Sequence, residues 1–177
     1  MRTTRNRVYR KLYRGFESPY LRQIKFIRFK LNMHYKVLHF KNSGDMPQDI
    51  KTKMVHLVRD VYDDDTAQEF RNEFDKNIPY EYVVVLDETD TNIIGLAFLM
   101  NSGLDFDIWE FAWAMVCVNY RGIGVGKLLN DERIKIVKQH QGKKILCVTQ
   151  KAWHLVRNGF RVVCTFANGD NLMVCEF

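Results

Sequence analysis

Between Phe106 and His140 the chain passes from an apolar strand, through a glycine-rich turn, into an amphipathic helix. This succession constrains the fold more than any bulk property. Phe106 to Val118 is long and mostly apolar, the pattern of a central strand covered on both faces. Three glycines follow at every second position: Gly122, Gly124 and Gly126. A helix then runs from about Gly124 to His140, with Val125, Leu128, Leu129, Ile136 and Val137 inward and Gly142 placed to end it. Glycine lets backbone N–H groups converge on a ligand with no Cβ in the way. The helix N-terminus adds partial positive charge. Together they predict a phosphate or diphosphate cradle.

The flanking segments supply a sheet for this unit. Tyr35 to Phe40 alternates apolar and polar side chains and reads as a first strand. After the turn Asn42-Ser43-Gly44-Asp45, Pro47 suits the first turn of a helix, and Ile50, Met54, Leu57, Val58 and Val61 form one apolar stripe. The acid run Asp63-Asp64-Asp65 comes next, and Thr66 with Glu69 fits a capping box for a second helix that has Phe70 and Phe74 on one face. Tyr80–Leu86 and Ile93–Met100 make a hairpin of β-branched and aromatic residues. Beyond the glycine turn and its helix come a strand at Ile145–Thr149 and a short helix at Ala152–Asn158, ended by Gly159. Strands Phe160–Phe166 and Leu172–Phe177 are joined by the hairpin turn Ala167-Asn168-Gly169-Asp170. The predicted order is β-α-α-β-β-β-α-β-α-β-β, an α/β (α+β) mixed sheet with helices on both faces.

Charge divides the chain in two. Residues 1–41 hold 12 of the 27 Lys and Arg but one of the 21 Asp and Glu, leaving 15 basic against 20 acidic residues in the other 136. We therefore read residues 1–32 as a basic N-terminal arm and 33–177 as the folded domain. In the arm, basic residues alternate with Tyr9, Tyr13, Phe16, Tyr20, Phe26 and Phe29. Cations neutralise phosphates and flat rings stack on bases, so nucleic-acid binding through residues 2–30 is one reading. A helix docking Leu21, Ile24, Ile27 and Leu31 on the domain is another. The longest apolar run, Phe111 to Val118, is far below the roughly 18 residues of a membrane span, and the N-terminus lacks the apolar stretch of a secretory signal. A cytoplasmic, non-membrane protein is expected, as a monomer or homodimer. Cys117, Cys147, Cys164 and Cys175 are widely spaced and each lies in a predicted strand, which reads as buried reduced thiols. The histidines at 34, 39, 56, 140 and 154 make no metal-type cluster, so no metal is expected.

The glycine turn departs from both common nucleotide fingerprints. The dinucleotide motif needs Gly-x-Gly-x-x-Gly at an early βα turn and an acid ~20 residues later, which Ile145 to Thr149 lacks. The P-loop needs Ser or Thr after Gly-Lys, and Leu128 follows Gly126-Lys127. Instead, Arg121-Gly122-Ile123-Gly124-Val125-Gly126 resembles the Arg/Gln-x-x-Gly-x-Gly/Ala signature of the GNAT superfamily, the acyl-CoA-dependent N-acyltransferases. The strand ending Ala114-Met115-Val116 is similar to that family's fourth strand, and Asn158-Gly159-Phe160 to the end of its short fourth helix. The element order agrees from Tyr35 to Phe177.

The resemblance implies acetyl-CoA, or another acyl-CoA, in a cleft where the fourth and fifth strands splay apart. Ala114, Met115 and Val116 would pair with the pantetheine arm like one more strand. Arg121, Gly122, Ile123, Gly124, Val125, Gly126 and Lys127 would hold the diphosphate. It also implies transfer of the acyl group to an amine of a small molecule or protein, attacking directly in a ternary complex. Glu110 matches a position where some members carry the general base, with Asp107 and Asp105 in reserve. The backbone N–H of Met115 or Val116 would polarise the thioester carbonyl. The family often places a tyrosine acid before the Gly-Phe pair; this chain has Trp153-His154-Leu155-Val156-Arg157-Asn158-Gly159, so His154 is the substitute candidate. The acceptor site would include Asp63, Asp64, Asp65 and Glu69, with Asp105 and Asp107, an acidic rim that attracts a polyamine, an aminoglycoside-like amine or a lysine-bearing protein. The missing tyrosine keeps a second reading open: a catalytically inactive acyl-CoA-binding module that uses its basic arm on nucleic acid or a partner.

Overall fold

The computed structural model describes residues 35–76, 78–105 and 107–177. The basic arm, and the nucleic-acid reading placed on it, lie outside the described residues. The elements are β1 (Lys36–Phe40), α1 (Gln48–Val61), α2 (Asp64–Asp75), β2 (Glu81–Leu86), β3 (Ile93–Asn101), β4 (Ile108–Val116), a 3₁₀ turn at Val118–Tyr120, α3 (Val125–Gln139), β5 (Lys144–Thr149), α4 (Ala152–Val156), β6 (Arg161–Thr165) and β7 (Asn171–Glu176). The strands form one sheet in the order β1-β2-β3-β4-β5-β7-β6. Every pairing is antiparallel except β4 with β5, which are parallel and joined through α3.

The sheet separates two apolar layers. Alternation along β2 shows how: Tyr82, Val84 and Leu86 pack with Ile50, Met54, Val58 and Phe70 of α1 and α2. Val83 and Val85 pack with Val125, Leu129, Ile136 and Val137 of α3. Successive strand side chains point to opposite faces, so one strand serves both layers. Edge-on and stacked ring contacts among Phe70, Phe74, Tyr80, Tyr82 and Phe98 fill the first layer. In the second, α3 lies close on β3: a Cβ added to Gly95 would meet Val125 Cγ1 at 2.7 Å.

Several local expectations are corrected. The capping box does not form. Asp63 itself caps α2, its Oδ1 accepting from the Thr66 N–H at 2.7 Å, so Thr66 lies inside the first turn and the acid run starts the helix. Carboxylates there face the positive end of the helix dipole. Gly142 does not supply the left-handed residue after α3; Gln141 does, at φ 59°. Gly142 is needed for space instead, since a Cβ there would meet Trp109 Cδ1 and Val137 Cγ1, both at 2.6 Å. The inward side of α3 holds Arg133 in addition to Val125, Leu129, Ile136 and Val137, while Leu128 is half-buried. The four thiols are free, but Cys175 alone is buried; Cys164 is exposed on the sheet's edge strand and Cys117 lies just past β4. β4 is shorter than expected and is not covered throughout: Ala114 is exposed, because β5 has already turned away.

Candidate functional site

The site is a gap between two strands, bounded by the turn that leads into α3. β4 and β5 pair only from Ile108↔Lys144 to Phe111↔Cys147. Beyond that point Val148 and Thr149 pair with β7 alone, and Ala112 to Val116 have no partner on the β5 side. At the parting, β4 carries a bulge. Ala97 faces Ala114 and Leu99 faces Phe111, so Phe98 stands opposite both Ala112 and Trp113. These two consecutive residues pack against the same α1/α2 layer.

The ladder decides which backbone groups look into the gap. The Cys117 N–H donates to the Ile94 carbonyl at 2.9 Å, and Leu96 lies opposite Met115. Antiparallel pairs alternate between hydrogen-bonded and non-bonded. Met115 therefore turns its amide and carbonyl to β3, and Ala114 and Val116 turn theirs to the gap. The Val116 carbonyl is taken by Arg121, whose Nε donates to it at 3.1 Å. Arg121 thus ties the turn to the end of β4. Of the two amides expected to polarise a carbonyl, the one at Val116 has the right direction.

The turn closes one end of the gap. Gly122 (φ 79°) and Gly124 (φ 108°) adopt left-handed backbone, and a Cβ on either would meet nothing within 4 Å. Gly124 is the N-cap of α3 and has no side chain to satisfy the first-turn amides, so those N–H groups are open to an anion. A Cβ on Gly126 would lie 3.8 Å from Val116 Cγ2, so the turn packs against the end of β4. These open amides, beside a strand edge with free backbone groups, fit a chain that carries a diphosphate at one end and amides along its length. Ile123 is exposed in the turn. Val125 is buried as part of the core, and Lys127 forms an exposed ion pair with Asp131.

Glu110 is half-buried on the α1/α2 side of β4, two residues before the bulge and opposite Met100 and Leu146. The link between α1 and α2 reaches the same place: Tyr62 and Phe70 meet Trp113 edge-on, with centroids 6.4 and 5.5 Å away. This brings Asp63, Asp64 and Asp65 near the bulge, where Asp64 is paired with Arg59 at 2.6 Å. Asp107 and Asp105 are not brought there. Asp107 stands five residues before Ala112, about 16 Å along the strand, and pairs with Lys143 at the far end of β4. His154 is exposed on α4 and stacked on Trp153, ring centroids 3.3 Å apart. Partial burial, then Lys151 and Arg157, press its pKa below the usual imidazole value. Among the described residues no group of three or more His, Cys, Asp or Glu is placed to hold a metal, and no helix is long and apolar enough to cross a membrane.

No family model matches the chain, and no curated protein does. Solved structures do. A GNAT-family acetyltransferase from Staphylococcus aureus Mu50 superposes with a TM-score of 0.63 at 16% identity, covering 81% of this chain and 99% of that one. The PaiA N-acetyltransferase from Thermoplasma acidophilum, in complex with coenzyme A, gives 0.61 at 15%, covering 80% and 99%. Aminoglycoside 6′-acetyltransferase type Ii gives 0.64 at 20%, covering 80% and 96%. The fold is the GNAT fold. The mixed sheet, the helices on both faces and the parted fourth and fifth strands expected from the sequence are all present. Sequence reading missed Arg133 and Trp113 at the heart of this GNAT fold. For Arg133 a signal existed, a cation four residues after Leu129 on an otherwise apolar stripe. For Trp113 none did, because only the bulge puts it on the same face as Ala112.

Proposed function

We propose that the chain is an N-acyltransferase that moves an acetyl group from acetyl-CoA to an amine. The observation that carries this reading is the parting of β4 from β5 directly beside the open amides of the turn at Gly122–Gly126. Acetyl-CoA supplies an acyl group activated as a thioester. The amides of the turn would hold its diphosphate, and the gap-facing groups of Ala114 and the Val116 N–H would pair with its pantetheine amides. Glu110 takes the proton that an ammonium group must lose before it becomes a nucleophile, directly or through water.

The acceptor is a cationic amine, on a small molecule or a protein lysine. Support comes from the acid run Asp63–Asp65, whose neighbour Tyr62 touches the bulge, and from the fold shared with an aminoglycoside acetyltransferase. His154 would supply the proton for the departing thiolate. Its pKa, pressed below the ordinary imidazole value, favours the neutral ring near pH 7, so an acid role makes turnover rise as the pH falls below neutrality. A flat profile there removes it from the reaction.

Calorimetric titration with acetyl-CoA is the direct test. Saturable binding is expected, and its absence from the folded full-length chain overturns the reading. Release of free thiol across a panel of polyamines, aminoglycosides and lysine peptides then reports transfer. Binding without release from any amine would favour the inactive acyl-CoA binder, a reading favoured by the missing tyrosine.

A further inference from the structure

We propose that Arg133 is a positioning residue: its guanidinium holds the β4 bulge from behind and sets the point at which β4 leaves β5. Arg133 is 1% exposed. Among the described residues it forms no ion pair with an acid. Nη1 donates to the Phe98 carbonyl at 3.2 Å, Nη2 donates to Asn130 Oδ1, and Nε has no acceptor. Cζ lies 3.7 Å from the centroid of the Phe111 ring. Two of these contacts define the bulge. Phe98 is the β3 residue that faces both Ala112 and Trp113, and Phe111 is the last β4 residue paired with β5.

A buried cation without a counter-charge is costly, and burial holds this guanidinium at a pKa of about 10. A methionine of similar length would fill the same space without that cost. It could not donate to the Phe98 carbonyl while lying against Phe111. The directional contacts are what arginine adds, and they bear on register. If the bulge were lost and the ladder beyond it slipped by one residue, Ala114 and Val116 would turn their backbone groups to β3, and Met115 would face the gap. Arg133 thus selects which amides line the gap without touching anything bound there. The proposal rests on the acyl-donor reading for its ligand consequence and stands apart from it for its structural one.

Two measurements on full-length Arg133→Met test it. The first is amide hydrogen exchange. Exchange at Phe111 and Met115 should quicken at least about tenfold while Val83 to Val85 of β2 keep their rates. No change at Phe111 and Met115, or equal quickening throughout, overturns the proposal. The second is calorimetry with acetyl-CoA and with adenosine 3′-phosphate 5′-diphosphate, which keeps the diphosphate and lacks the pantetheine arm. Affinity for acetyl-CoA should fall about tenfold and that for the nucleotide stay within about twofold. Equal loss of both, or loss of neither, overturns it. If the unmodified chain binds neither ligand, the donor reading fails and the exchange result alone decides the role of Arg133. Should Arg133→Met not fold, Asn130→Ala releases Nη2 and should show the same exchange pattern at about threefold; unchanged exchange there overturns the proposal too.

Discussion

Glu110 is the residue to which we assign the proton of the acceptor amine. It sits in an otherwise apolar stretch of β4, half-buried and two residues before the bulge. Glu110→Gln keeps its shape and removes its basicity. Turnover with the best acceptor should fall by about 10²–10⁴ while acetyl-CoA affinity is unchanged; full turnover would exclude it as the base. Asp87, after β2, is a carboxylate with a structural role. Its Oδ1 accepts from the Thr89 hydroxyl (2.8 Å) and from the amides of Thr89, Thr91 and Asn92, and its Oδ2 from Asn92 Nδ2 (2.6 Å). Burial alone would raise its pKa, but these bonds prevail and hold it at about 2, against an ordinary 3.8. The unfolded chain therefore binds this proton more readily, and the stability it contributes is present above the ordinary value and lost as the pH falls from about 4 to about 2. Urea titrations through that window should show a shallower loss for Asp87→Asn than for the unmodified chain.

At the scale of elements, the start of α3 sets two left-handed glycines beside the gap. Gly124 caps the helix at φ 108°, a conformation that L side chains rarely adopt. Gly124→Ala should cost about 1–2 kcal/mol of stability in thermal or urea unfolding. It should also weaken acetyl-CoA binding by more than the stability loss explains, because the first-turn amides would be re-aimed; unchanged affinity would show that those amides hold no diphosphate. The end of the same helix teaches a different point. The sequence offers Gly142 as a stop signal, and a glycine is indeed required there, but by the close approach of Trp109 and Val137 and not by its backbone angle. At the start of α2, Asp63 takes the cap that Thr66 was expected to hold. Both corrections concern which of several nearby residues takes a role, and the path of the chain decides that.

Across the whole molecule, opposite charges occupy different parts of the chain. The 136 residues after Lys41 carry an excess of acid, and the first 41 carry nearly half of the basic residues. If the arm delivers the GNAT-fold domain to a polyanion, the full chain should bind single-stranded nucleic acid with an affinity that falls steeply with salt. Removal of residues 1–32 should abolish that binding and leave acetyl-CoA affinity intact. Nucleic-acid binding that is absent from the full chain, or survives the truncation, would end this reading.

Local pattern alone determined the order of strands and helices, the amphipathic faces of α1 and α3, and the glycine turn with the cofactor class its signature suggests. These depend on residues within a few positions of one another, so periodicity and turn chemistry report them directly. The tertiary structure alone decided that β4 parts from β5 after Phe111, that Ala114 and Val116 but not Met115 face the gap, that Asp107 is held far from it, and that a lone guanidinium braces the bulge. Each of these turns on pairing register between segments distant in the chain. A single-residue slip reverses which groups point where, and no local sequence preference encodes that choice.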